Sequence, residues 1–308
     1  MPRSPELPWT PAETKRLMSH AEVVAALRDK VEKGTATKEE VERFGKAVLA
    51  LDKAIKDKER EAGHSPDTIL AEDREGNEIR FDLAELRRQW VDFYKTNNLS
   101  DVLTDDGGRD TIPSNITLTP EQIDLLKAKA KEGYTRAVII PAGIEKHLQA
   151  LKENLTDGYE KDRNNKPILT FLSSNVSPSF PDNIITTDTN RKDKAYIILT
   201  NPNESLLPNS KNKTADELMS EFQSLGFSGL TLADFFIEER RHFNETGKHL
   251  IDGSVEWSWL LASRDSASRV LDAGWRPGSL LVGVGSGVSG DRDPALGARP
   301  SVVFVLET

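Results

Sequence analysis

Cysteine is absent from the 308 residues, which excludes disulfides, thiolate metal sites and cysteine nucleophiles. No apolar run approaches the ~20 residues that cross a bilayer. Met1 to Thr10 hold no apolar stretch of the kind that opens a secretory signal. A non-membrane protein is expected, with a cytoplasmic location favoured. An excess of basic charge is missing too. The chain has 41 Lys and Arg against 50 Asp and Glu, a net charge of -9, which argues against a nucleic-acid partner. The five histidines are His20, His64, His147, His242 and His249. None lies in H-E-x-x-H or within five positions of another, so neither a metal nor a cofactor is expected.

A second absence is local. Residues 257 to 306 contain no Lys, Glu, Gln or Met, although the rest of the chain has 21, 26, 4 and 3 of them. At that rate about ten would fall in these fifty positions. From Trp257 to Thr308 five acids balance five arginines, so the net charge of -9 sits wholly in residues 1 to 256. A Gly- and Ser-rich β region disfavours Lys and Glu in any case.

What is present divides the chain. Residues 11 to 62 read as two helices, with Gly34 between them and Gly63 as the stop. On the second, Val41, Phe44, Val48, Leu51 and Ile55 form a heptad seam, and Thr37 with Glu40 makes a capping box. The short connection predicts antiparallel packing. Two such helices bury only a narrow stripe, so docking elsewhere or dimerisation is expected. A small hairpin is predicted from Thr68 to Phe81 around Gly76-Asn77. A helix follows from Asp82 to about Lys95, then a loop over 97 to 117. Thr119-Pro-Glu-Gln122 opens another helix. Strands are expected at Ala137–Ile140, Ile168–Leu172 and Tyr196–Leu199. Helices are expected from Thr214 to Phe222 and from Thr231 to Thr246, the latter ended by Gly247. The tail lacks a helical period and closes in a strand, Ser301 to Leu306. The fold class is α+β, divided into residues 1–63, a connecting α/β segment 64–130, and a domain 131–308.

Chemical motifs are weak. Gly285-Ser-Gly287-Val-Ser-Gly290 matches G-x-G-x-x-G, but Asp291-Arg-Asp-Pro294 follows instead of a helix, so no helix N-terminus meets a pyrophosphate. Asp291 and Asp293 are too few carboxylates for calcium. No serine has a G-x-S-x-G setting and no histidine follows His249, so hydrolase chemistry is unsupported and no catalytic residue is assigned. Trp257, Trp259 and Trp275 would serve as a sugar-stacking platform only if exposed; core packing is their ordinary role.

The tail nevertheless carries a pattern. Trp257-Ser-Trp259-Leu260, Ser263-Arg264, Gly274-Trp275 and Leu296-Gly-Ala-Arg299-Pro-Ser-Val-Val303 resemble the variable region of diversity-generating retroelement target proteins. Gly229-Leu-Thr-Leu-Ala-Asp and Phe243-Asn-Glu-Thr-Gly247-Lys-His-Leu250 add to the resemblance, which covers roughly residues 165 to 308. It implies a C-type lectin domain related to the formylglycine-generating enzyme fold. It also implies a non-enzymatic protein that displays diversified residues, over about 257–306, to a variable ligand, with a protein ligand expected. In that family adenine-directed mutagenesis turns AAY codons into NNY, which cannot encode Lys, Glu, Gln, Met or Trp. The resemblance therefore implies invariant scaffold positions at Trp257, Trp259, Trp275, Leu296, Gly297 and Arg299. It implies free, solvent-facing positions at Ser258, Leu261, Val270, Leu271, Ser279, Leu281, Gly283, Gly285, Ser286 and Gly287. Enzymes of the related fold use cysteines, and the Trp-Asn-Asp and Glu-Pro-Asn motifs of calcium-dependent lectins are missing, so neither that activity nor calcium or sugar binding carries over. A fixed phage-type structural or adhesion protein of the same fold is the first alternative, and an enzyme of the sulfatase-modifying fold with altered chemistry ranks behind it. The N-terminal helices are the expected place for an oligomer or partner contact.

Overall fold

A computed structural model describes residues 11–61, 68–161, 164–202, 206–207, 209–251 and 256–306. The chain falls into two units, Met1–Thr68 and Ile69–Thr308. In the first, α1 (Pro11–Glu32) and α2 (Lys38–Glu61) pack against each other. Thr37 caps α2 as its sequence predicts: Glu40 N–H donates to Thr37 Oγ1 at 3.3 Å, and Thr37 N–H to the Glu40 carboxylate at 2.8 Å. Lys30 pairs with Glu40 at 2.7 Å across the turn. Among the described side chains of this unit, Leu27 and Ala47 are the buried apolar ones. The side chains of Leu51 and Ile55 lie outside the described residues.

The second unit is a mixture of helix and sheet. β1 (Thr68–Glu72) and β2 (Glu78–Asp82) form the expected hairpin, with Gly76 at positive φ in its turn. Asp82 caps α3 (Leu83–Thr96), and Thr119 with Gln122 boxes α4 (Pro120–Lys131). β3 (Arg136–Ile140) follows, then α5 (Leu148–Leu151), prolonged by a π turn, Lys152–Thr156. Next come β4 (Phe171–Leu172), β5 (Ile184–Thr186) and β6 (Tyr196–Thr200). After them stand α6 (Ala215–Ser224), β7 (Ser228–Gly229) and α7 (Leu232–Thr246), the last ended by left-handed Gly247. The tail is β8 (Trp257–Asp265), β9 (Val270–Arg276), β10 (Leu281–Gly287), β11 (Leu296–Ala298) and β12 (Pro300–Val305).

These strands build two larger sheets. One has the order β11-β8-β9-β10-β4, with β5 on β8; the other has the order β3-β6-β12-β7. β6 is buried at every position, as a strand covered on both faces must be. α7 packs with Leu232, Phe235, Phe236 and Ile237 fully buried. The segment expected as a connector does not stand apart. Ile69, Phe81, Trp90, Tyr94, Leu99, Ile112 and Leu126 join the same core as Ile139, Ile198, Phe235 and Phe304. Periodicity reads each helix but not the partner it covers, so sequence alone placed this boundary wrongly. α3 lies against β3, where Trp90 Nε1 donates to the Ala137 carbonyl at 3.2 Å and the Tyr94 hydroxyl to that of Ile139 at 2.8 Å.

A buried ionic hub joins the elements around α7. Arg191 and Asp234 are both fully buried, and Arg191 Nη1 donates to Asp234 at 2.7 Å. Arg191 also donates to Asp188 at 2.9 Å, to the Gly229 carbonyl at 2.8 Å and to the Ser228 hydroxyl. The Tyr196 hydroxyl and Thr231 N–H each donate to Asp234 at 2.9 Å. Removing one partner strands a charge away from water. Arg191→Met is expected to cost about 3–5 kcal/mol in urea denaturation; a loss under about 0.5 kcal/mol would show that the hub contributes little.

Candidate functional site

Successive residues of β8, β9 and β10 alternate between two faces of their sheet. Leu260, Leu271, Ala273, Trp275, Val282 and Val284 point into the main core. The register pairs Gly283 with Gly274 and Gly285 with Asp272, and sets Phe171 of β4 beside Gly283. The opposite face therefore carries Trp257, Trp259, Leu261, Val270, Asp272, Gly274, Arg276, Leu281, Gly283, Gly285 and Gly287. It divides in two. Over one half α6 lays Ala215, Leu218 and Phe222 on Trp259, Leu261, Val270 and Ala298, forming a second, smaller core. The other half is open to solvent and carries the candidate site.

On that open half the Arg276 guanidinium lies 4.3 Å from the Phe171 ring centre and 4.8 Å from that of Trp257, a double cation–π contact. Phe171 is exposed, as are Leu169 and Leu280, which flank β4 and β10 in the sequence. Nε of Arg276 is buried without a hydrogen-bond partner among the described residues. Asp272 rests over Gly285. Burial pushes its carboxyl up to about 7; Arg276 opposes that rise and Asp293 adds to it. The face thus offers a half-buried carboxyl, a stacked guanidinium and two aromatic rings within one patch. Among the described residues no three His, Asp or Glu side chains converge as metal ligands would.

The positions expected to vary freely do not all face solvent. Ser258, Leu261, Val270, Leu271 and Gly283 are buried, which corrects the expectation for these five. Ser258 and Leu271 lie on the core side of their strands, and Leu261 and Val270 are on the other side but under α6. Gly283, Gly285 and Gly287 are seats for larger neighbours. A Cβ on them would come within 2.6 Å of Trp257, 2.7 Å of Asp272 and 2.9 Å of Trp259 respectively. Ser286 is half-buried and donates to Asp265 at 2.8 Å. Ser279 is exposed in the β9–β10 turn and Leu281 is half-exposed. Of the six scaffold positions, Trp259, Trp275, Gly297 and Arg299 are buried, while Trp257 and Leu296 are half-buried. Arg299 reaches the Asn201 carbonyl at 2.6 Å and Glu238 at 3.5 Å. A Cβ on Gly297 would meet Ser210 Oγ at 2.5 Å. Gly290 closes a loop with no helix after it, so the Gly-rich run forms no phosphate cradle.

Sequence reasoning passed over Asp272, Arg276 and Phe171. The first two were visible as charges two positions either side of Gly274; Phe171 reaches the site only through β4. It also passed over His249, whose Nδ1 lies 2.5 Å from Glu239 and whose ring stacks on Trp275 at 3.4 Å. In that pair Glu239 is buried and His249 half-buried. A separate cleft of about 360 Å³ lies beside the ionic hub, lined by Asp188, Asn190, Met219, Phe222, Ser228 and Leu261 among others. Comparison with protein-family models, with curated proteins and with solved structures gives no match.

Two predictions follow from this packing. Gly283→Ala must displace Trp257 or Arg276 and is expected to cost about 1–3 kcal/mol, whereas Ser279→Tyr should stay within about 0.5 kcal/mol; chemical denaturation compares them. The Asp272 carboxyl titrates near 7 in the folded chain and at about 3.9 when unfolded. The folded state therefore holds the extra proton between these values, and stability falls as pH rises through that window. Asp272→Asn is expected to be more stable than the parent at pH 8 and equal to it below pH ~4. A constant difference across a pH series of thermal melts would refute this origin.

Proposed function

We propose that this is a non-enzymatic binding protein of the diversity-generating retroelement target type, whose C-terminal C-type lectin-like domain presents a recognition face to a protein ligand. The observation that carries the reading is the separation of roles across β8, β9 and β10. One face supplies a closed apolar core. The open half of the other holds Trp257, Asp272, Arg276 and Leu281, bordered by exposed turns at 277–280 and 290–294. Side chains in those turns are free to change because the folding free energy comes from elsewhere. Exposed apolar groups beside a charged pair are the composition of an interaction patch.

The composition break after Trp257 supports the same reading, since NNY codons cannot supply the four missing residue types. The buried positions narrow the set on which diversity is useful. Variation at Ser279, Leu281 and the two turns alters the surface, whereas variation at Ser258, Leu261, Val270 or Leu271 alters a core. The fixed adhesion protein has the same architecture and differs only in the history of these codons.

Sequencing codons 258 to 295 across independent isolates, together with the flanking DNA, tests this. Expected are a near-repeat differing mainly at adenines and replacements concentrated in the turns and at Leu281, with few at Val270 and Leu271. Identical codons throughout, with no adjacent repeat, would favour the fixed adhesion protein.

A further inference from the structure

The first unit carries a feature that its own packing leaves unused. On α2, Ala47 is buried and Phe44 half-buried, on the side where α1 packs. Val41, Val48 and Leu49 are 47%, 40% and 70% exposed. At 3.6 residues per turn these three residues and Gly45 fall within one arc of about 100°. Of the heptad seam, Phe44 is thus half-buried, while Val41 and Val48 are covered by nothing among the described residues.

Gly45 makes the second observation. It stands in the interior of a helix, where glycine weakens the helix relative to alanine. A Cβ placed on it meets nothing within 4 Å, so crowding inside the chain does not require glycine there. A mid-helix glycine in the middle of an exposed apolar arc fits the close approach of another helix.

Charge points to which helix. Residues 1–68 hold thirteen basic and thirteen acidic side chains, whereas residues 69–308 hold 28 and 37. The unit is neutral in an acidic chain, so two copies of it meet without the repulsion that two copies of the larger unit exert. Lys38, inside the arc at its N-terminal end, and Glu42, at its edge, are of opposite sign. A two-fold related copy presents the same patch and can set each against its opposite. A pair of helices is marginal by itself and gains most from becoming four.

We propose that the exposed arc of α2 is a self-association surface, through which the two-helix units of two copies of this chain form a four-helix bundle with Gly45 at the closest approach. The contact is independent of the recognition face on the sheet.

Sedimentation velocity of the full chain, with circular dichroism in parallel, tests it. The parent chain is expected to be a dimer. Gly45→Ala and Gly45→Leu enter open space within the chain and replace a poor helix former, so helicity is kept or raised. Both are expected to weaken the dimer, Gly45→Leu by about tenfold or more in Kd, and Val48→Glu to act in the same direction. A parent chain that sediments as a monomer up to its highest soluble concentration overturns the proposal. So does a dimer that survives both Gly45 variants undiminished, because the contact then lies elsewhere.

Discussion

The contact between Arg191 and Asp234 is the constraint on which the larger unit depends. Two opposite charges are removed from water, and that cost is recovered only if every remaining donor and acceptor finds a partner. The partners come from four places: Asp188 after β5, Tyr196 on β6, Ser228 and Gly229 on β7, and Thr231 at the start of α7. Asp234 is also the third residue of the helix it caps, where the helix dipole favours a negative charge. The hub therefore fixes where α7 begins. With α7 set, its buried phenylalanines fix what packs around it. The helix meets both β8 and β9, and the inner face of their sheet is filled.

With the inner face filled, the character of the outer face is decided by what lies over it. α6 reaches only part of it, and its Phe222 and Leu218 close over Trp259 and Val270. Where α6 stops, the strands must be finished by their own side chains. They do so by laying long groups across glycines: Trp257 and Arg276 over Gly283, and Asp272 over Gly285. The result is a flush surface in which a carboxyl and a guanidinium are held half out of water without pairing to each other. Polar groups held this way are costly to keep out of water.

Much of this was legible in the sequence. Thr37–Glu40, Thr119–Gln122, Thr214–Glu217 and Thr231–Asp234 all form the capping boxes that their spacing announces, because a cap is decided within four residues. The Val-Ile-Ile and Ile-Ile-Leu runs become β3 and β6 for a similar local reason. What failed was anything decided across the chain. Leu261 and Val270 are surface positions by the resemblance alone; α6, some forty residues earlier, covers them. Leu271 and Ser258 belong to strands whose inward side is set by pairing. In Gly- and Ser-rich strands that side is weakly marked. Phe171 joins the site through a two-residue parallel strand that no periodicity would single out. The expected strand at Ile168–Leu172 shrinks to that pair because Thr170 turns to Thr156 and Asp157 instead.

β3 ends its sheet, and a terminal strand ordinarily leaves a row of carbonyls able to template another chain. Here Trp90 and Tyr94 spend their polar atoms on two of those carbonyls, and their rings block the approach. A foreign strand cannot zip on at this border without first evicting two aromatic side chains from the interior. The molecule can thus be crowded without seeding fibrous aggregates from this side.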